Sequence, residues 1–281
     1  VTLGSATTID TNATNTTGDL TIGAVTGGSN ALTLSMGNNV ANTDISATGN
    51  ISGVTTLTLQ NVGGTATFAG DVDVTTLTVG NTVANVALNG DGSTVTNTVS
   101  FANDGTLQLA DATGDTLTFN GGLDTSGVGS TVTLNGTIAT SNDAVTFGAV
   151  TLGSATTIDT NASNTTGDIA IGAVTGGSNN LTLTTGDNVA NSDITASGAI
   201  SGLGNLTLAD VGGTATFSAN VAAAALSADS TVANLVFTGA SNTFSAASTL
   251  ANDGTLQFGD ATGDSFTFNG GLTTSDVGGT V

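Results

Sequence analysis

Residues 105–123, GTLQLADATGDTLTFNGGL, contain the pattern that decides the fold. In Leu117-Thr118-Phe119, apolar side chains alternate with Thr, which is typical of a β-strand that buries one face. Asn120-Gly121-Gly122 follows directly, and both residue types accept the left-handed backbone angles of tight turns. The stretch therefore predicts short strands joined by tight turns.

The same apolar–Thr–apolar triplet recurs along the chain. Its members are Val1-Thr2-Leu3, Leu20-Thr21-Ile22, Leu32-Thr33-Leu34, Leu57-Thr58-Leu59, Leu77-Thr78-Val79, Leu117-Thr118-Phe119, Val132-Thr133-Leu134 and Val145-Thr146-Phe147. Clusters of Gly, Asn, Asp and Ser, such as Asn103-Asp104-Gly105, separate them, and no stretch shows helical periodicity. We therefore predict an all-β fold.

The chain also contains a long internal repeat. VTLGSATTIDTNATNTTGD at Val1 returns as VTLGSATTIDTNASNTTGD at Val150, an offset of 149 residues that holds without a gap to Val281. About 84 of the 132 aligned positions are identical. Such self-similarity is the signature of repeat architectures. We expect residues 1–149 to form the first repeat and 150–281 a second, incomplete one, in one continuous solenoid.

The stretch where the copies differ most tests which positions face inward. Six pairs stay apolar and are predicted to face the core: Val72/Val221, Leu77/Leu226, Val83/Val232, Val86/Leu235, Leu88/Phe237 and Val95/Phe244. Beside them, Asp73 becomes Ala222, Thr76 becomes Ala225 and Asp91 becomes Ala240. We interpret these changes as drift on the outward face, as a core on one side requires.

A parallel β-helix accommodates this pattern best. Each coil would carry two or three short strands whose inner side chains stack on the coil below, so that no coil is stable alone. The triplets predict about six coils of roughly 18–31 residues per long repeat, and about eleven coils in all. Antiparallel hairpins or an immunoglobulin-like sandwich are the alternative, since Asn-Gly and Asp-Gly pairs also mark hairpins.

Two segments carry a family resemblance. GTLQLADATGDTLTFNGGL at residues 105–123 and GTATFAGDVDVTTLTV at residues 64–79 resemble the β-helix repeats of filamentous-haemagglutinin-like and autotransporter-type bacterial surface proteins. The resemblance rests on strand rhythm and composition. It implies a right-handed β-helix, secretion to the cell surface, and a role in adhesion, biofilm or fibre formation, with no catalytic residues.

Composition limits the chemistry and the partners. The chain has no Lys, Arg, His or Cys, all 21 acidic residues are Asp, and the formal net charge is −21. General acid–base and covalent catalysis rely mainly on residue types that are missing here, so we expect a protein that is not an enzyme. Nucleic acid is excluded as a partner because no cation can neutralise its phosphates. No apolar run approaches the roughly 18 residues of a transmembrane helix, so we expect no membrane insertion.

Aspartate spacing gives the only candidates for a cation site. Asp104, Asp111 and Asp115 recur as Asp253, Asp260 and Asp264. Hard cations such as Ca²⁺ take carboxylate and carbonyl oxygens from Gly-rich turns, but the calcium nonapeptide and the EF-hand spacing are both missing. We favour Asp as a turn former here and expect no cofactor.

Glycan attachment is a further expectation. Sequons occur at Asn12, Asn15, Asn50, Asn135, Asn161, Asn164, Asn180 and Asn205.

Two functions fit these observations. The first is a structural solenoid segment of an extracellular filament, sheath or surface-fibre stalk, joined end to end to further copies of the repeat. The second is an adhesin whose solenoid binds glycans or host surface proteins. The aromatic fraction of 4% favours the first, because binding hot spots are enriched in Trp, Tyr and Arg. An extracellular location is expected because trypsin-like proteases, which cut after Lys or Arg, find no site in the chain.

Overall fold

The computed structural model describes residues 1–16, 18–37, 40–163, 167–186 and 189–281. The chain divides into two compact units, Val1–Ile138 and Ala139–Val281. Every regular element among the described residues is a β-strand, so the predicted all-β fold is confirmed.

The first unit contains fourteen strands among its described residues. They are β1 (Thr7–Ala13), β2 (Leu20–Ile22), β3 (Val25–Gly37), β4 (Ile45–Ala47), β5 (Ile51–Gln60), β6 (Val62–Phe68), β7 (Val72–Val79), β8 (Val83–Leu88), β9 (Thr94–Val95), β10 (Val99–Ser100), β11 (Leu107–Leu109), β12 (Thr116–Phe119), β13 (Leu123–Asp124) and β14 (Val132–Thr140).

Fifteen further strands are described after it. They are β15 (Val145–Phe147), β16 (Val150–Ala162), β17 (Ile169–Ile171), β18 (Val174–Thr175), β19 (Leu181–Gly186), β20 (Ile194–Ala196), β21 (Ile200–Ala209), β22 (Thr214–Phe217), β23 (Val221–Ala228), β24 (Asn234–Phe237), β25 (Ser241–Phe244), β26 (Ser248–Leu250), β27 (Leu256–Phe258), β28 (Ser265–Phe268) and β29 (Leu272–Thr273).

Strands pair in parallel with strands about one turn of chain away. In the first unit β2, β4, β6, β8, β11 and β14 follow one another in a single stack. The long strands β3, β5 and β7 belong to two further stacks, because each contributes one segment before a bend and one after it. Each unit is therefore a β-solenoid. Antiparallel hairpins, the alternative from sequence, do not occur among the described pairings.

The turn lengths are unequal, and both units have them in the same order. In the first unit the register partners Leu20, Ile45, Ala66, Val86, Leu107 and Val132 are 25, 21, 20, 21 and 25 residues apart. In the second, Val145, Ile169, Ile194, Ala215, Leu235 and Leu256 are 24, 25, 21, 20 and 21 residues apart. Six segments per stack confirm about six coils per repeat.

The core is formed by inward apolar side chains that stack from turn to turn. All six residue pairs predicted to face inward are buried, from Val72 at 0% exposure to Leu77 at 3%. Seven of the eight apolar–Thr–apolar triplets lie in strands, whereas Val1-Thr2-Leu3 forms only an isolated bridge from Thr2 to Thr26.

Phe side chains enlarge the core of the second unit. Phe217, Phe237 and Phe258 are register partners in β22, β24 and β27. Their ring centroids are 4.9 and 6.0 Å apart at interplanar angles of 15° and 18°. In the first unit the corresponding positions hold Phe68, Leu88 and Leu109. Aromatic stacking thus replaces part of the aliphatic packing.

Candidate functional site

The predicted cation candidates Asp111 and Asp115 lie in one turn. The Asp115 Oδ2 accepts hydrogen bonds from the backbone N–H groups of Asp111 at 3.0 Å and Ala112 at 2.8 Å. The second unit repeats the arrangement, with Asp264 Oδ2 bound by the N–H groups of Asp260 at 2.9 Å and Ala261 at 3.0 Å. These carboxylates satisfy backbone donors and hold a turn, as the favoured interpretation from sequence requires.

Asp104 and Asp253 contribute their main chains to the stack. The Asp104 N–H donates to the Val83 carbonyl at 2.9 Å, and the Asp253 N–H donates to Val232 at 2.8 Å. Within the part of the chain that the structure describes, no three acidic side chains come close enough together to hold a metal ion. The geometry brings Asp111 to Asp115 but assembles no cation site from the six candidates.

Two aspartates have raised pKa values. Loss of water on packing raises the pKa of Asp111, and the charges of Asp115 and Asp91 raise it further. Burial also raises the pKa of Asp73, where the hydrogen bond from the Thr94 N–H opposes the rise. In both cases the protein surroundings disfavour the charged carboxylate.

Side chains extend the hydrogen-bond ladders into one corner of each solenoid. The Asp19 Oδ1 accepts from the Asp44 N–H at 3.0 Å, and the Asp44 Oδ1 accepts from the Thr65 N–H at 2.7 Å. The second unit repeats both bonds from Asp193 to Asp168, at 2.8 Å, and from Thr214 to Asp193, at 2.7 Å. The turns are therefore bonded to each other at this corner as well as along the strands.

The sequons differ in accessibility. Asn135 is 5% exposed, and its amide donates to the Ala110 carbonyl at 2.9 Å, so a glycan cannot be attached there in the folded chain. Asn50 and Asn205 are exposed. The sequon at Asn164 lies outside the described residues. Glycan attachment stays a prediction.

A surface groove occurs where the long strands bend. In β5 one extra residue, Gly53 with φ +64°, lies between Ser52, which pairs with Asp73, and Val54, which pairs with Val74. The groove beside this bulge has a volume of about 410 Å³.

The second unit has the same groove. It has a volume of about 370 Å³, and each of its nine lining residues lies 149 positions after one that lines the first groove. Gly202, like Gly53, has φ +64° and supplies the extra residue. The shape therefore belongs to the repeat.

The lining of the two grooves differs. Buried Val54 and Val74 form the floor of the first groove, and Thr55 and Asp73 lie beside them. Their counterparts in the second groove are, in the same order, Leu203, Ala223, Gly204 and Ala222. The groove was not predicted from sequence. Its available signal was the change from Asp73 to Ala222, which the sequence analysis interpreted as drift.

Comparison with known proteins gives no relative. No family model, no curated protein and no solved structure matches the chain. The described residues include no helix with the length and apolar character needed to span a bilayer. The chain is thus assigned from its own geometry, as a tandem-repeat parallel β-solenoid.

Proposed function

We propose that this chain is a structural segment of an extracellular filament, sheath or surface-fibre stalk, without catalytic activity. The observation that carries the proposal is the direction of bonding. In each unit, backbone hydrogen bonds join every turn to the next, and Asp19, Asp44, Asp168 and Asp193 add side-chain bonds in the same direction. Repeated short-range bonding of this kind suits an element that has to keep its form under load.

The composition supports an exposed location. The chain has no Lys and no Arg, so proteases that cut after basic residues have no site in it. A charge of −21 keeps such a surface hydrated and repels other acidic surfaces. On this reading the chain resembles the filamentous-haemagglutinin-like and autotransporter-type stalks, and it would join end to end with further copies of its repeat.

Immunogold electron microscopy of intact producing cells tests the location and the role together. An antibody raised against the recombinant chain should label fibres or a layer outside the cell, and the label should survive treatment with trypsin. Permeabilised cells serve as the control for internal antigen. If label appears only after permeabilisation, the extracellular structural role is wrong.

A further inference from the structure

We propose that the groove of the first unit binds a basic oligosaccharide, a short sugar chain that carries free amino groups. This goes beyond the structural role, because it gives the solenoid a ligand site. The second groove keeps the shape but has lost the polar groups, and it provides an internal comparison.

The first groove presents hydroxyl groups at regular spacing. Thr75 follows Val74, and Thr96 follows Val95, its register partner in the next turn. Thr55 follows Val54, which pairs with Val74 from the turn before. All three Thr residues line the groove. With roughly 4.8 Å between adjacent strands, they form a column with two intervals, roughly 10 Å in length.

A carboxylate lies on the other side of the floor. Asp73 and its register partner Thr94 both line the groove. The Asp73 Oδ1 accepts from the Thr94 N–H at 3.1 Å, and no described residue is recorded as a donor to Oδ2. Burial raises the pKa of Asp73, so the charged form lacks full compensation in the free protein.

These groups select the chemistry of the ligand. A hydroxyl group both donates and accepts, whereas a carboxylate only accepts, so the ligand needs many hydroxyl groups and a surplus of donors. The apolar floor of Val54 and Val74 suits the C–H face of a sugar ring. A ligand ammonium would compensate Asp73, and the charge of −21 repels acidic sugars. An amino sugar meets all of these conditions.

The second copy indicates that the polar lining is not a requirement of the fold. Ala222 and Ala224 stand where the first groove has Asp73 and Thr75, yet the same strands pair around them. Only three of the nine lining pairs are identical, against about 84 of 132 positions over the whole alignment. The difference between the copies is therefore concentrated in the lining of the groove.

Isothermal titration calorimetry on the full chain tests the proposal with four probes: a glucosamine tetramer, cellotetraose, a galacturonate tetramer and tetralysine. We expect the glucosamine tetramer to bind at one site per chain, cellotetraose to bind at least tenfold more weakly, and the acidic tetramer not to bind. Absence of binding by the glucosamine tetramer would overturn the proposal. Equal binding of tetralysine, or two equivalent sites per chain, would also overturn it, because charge alone or the groove shape alone would then be sufficient.

Variants that exchange the two linings provide the controls. Asp73→Ala with Thr75→Ala gives the first groove the residues that the second unit already tolerates, and it should weaken binding at least tenfold with an unchanged circular dichroism spectrum. The reverse change, Ala222→Asp with Ala224→Thr, should raise the number of sites from one to two. Asp91→Ala removes the same charge outside the groove, at a position where the second copy has Ala240, and should keep binding. If Asp91→Ala weakens binding as much as the double variant does, diffuse charge explains the effect and the site is wrong.

Discussion

The Phe stack of the second unit makes a quantitative test of how the turns support each other. Phe237 has 0% exposure and lies in register between Phe217 and Phe258. Its ring centroid is also 6.4 Å from that of Phe244 and 6.2 Å from that of Phe266. Truncation of a buried Phe to Ala costs about 3–5 kcal/mol, as the transfer free energy of the lost atoms and the cavity combine. We expect Phe237→Ala to fall in the upper half of that range, because the neighbouring rings are held in adjacent turns and cannot collapse into the space.

Phe237→Leu is the matched control. The first unit has Leu88 at the equivalent position, 1% exposed, so the solenoid accepts this side chain there. The Leu variant keeps most of the volume and loses aromatic pairing, worth about 0.5–1.5 kcal/mol per pair, so we expect a loss of about 1–2 kcal/mol.

Urea unfolding and hydrogen exchange measure the two effects. The change in unfolding free energy gives the total, and amide exchange in β22 and β27 reports whether the strands above and below open with β24. We expect faster exchange in both neighbours for Phe237→Ala. Unchanged exchange in both, or equal losses of stability for the Ala and Leu variants, would refute the idea that each turn depends on the packing of its neighbours.

Three further predictions concern charge, glycine and the aspartate turn. Because the pKa values of Asp73 and Asp111 are raised above the usual 3.8, the folded state holds these protons more tightly than the unfolded chain does. Stability should therefore rise as the pH falls from 7 through the window just above 3.8, and a melting temperature that drops between pH 7 and pH 4.5 would contradict this. A Cβ at Gly129 would lie 2.2 Å from a main-chain oxygen of the turn below, whereas one at Gly114 would meet nothing within 4 Å. Gly129→Ala should cost about 1–3 kcal/mol in urea unfolding while Gly114→Ala stays within about 1 kcal/mol of the parent, and equal effects would show that the close approach is not what matters. Asp115→Ala removes the acceptor of two N–H groups and should cost about 1.5–3 kcal/mol, with a smaller loss for Asp115→Asn; unchanged amide exchange at residues 111 and 112 would exclude this role.

The sequence predicted the solenoid because its core obeys a simple alternation. Triplets such as Leu57-Thr58-Leu59 have apolar side chains on one face, and the pairs that stayed apolar between copies, such as Leu88 and Phe237, are buried. Parallel stacking followed from the long repeat. Both conclusions depend only on which face of a strand is buried.

Register and groove were beyond the sequence because they depend on single residues at bends. Gly53 inserts one residue into β5, and nothing in the alternation distinguishes it from Gly in an ordinary turn. Asp73 and Thr75 are outward residues by alternation, and only the bend places them beside one groove. The turn role of Asp115 was the favoured interpretation, but its two N–H partners became visible only in three dimensions.

The order of turn lengths has a consequence for misassembly. A strand that slipped by one turn would set a 25-residue loop against one of 21, and glycines such as Gly129 would no longer lie over the carbonyls below them. A slip by a complete 149-residue copy keeps nearly every partner, because 25, 21, 20 and 21 recur in order. Tandem copies can therefore exchange segments between neighbouring chains as intact modules, and entanglement during folding or assembly should occur in steps of one whole copy.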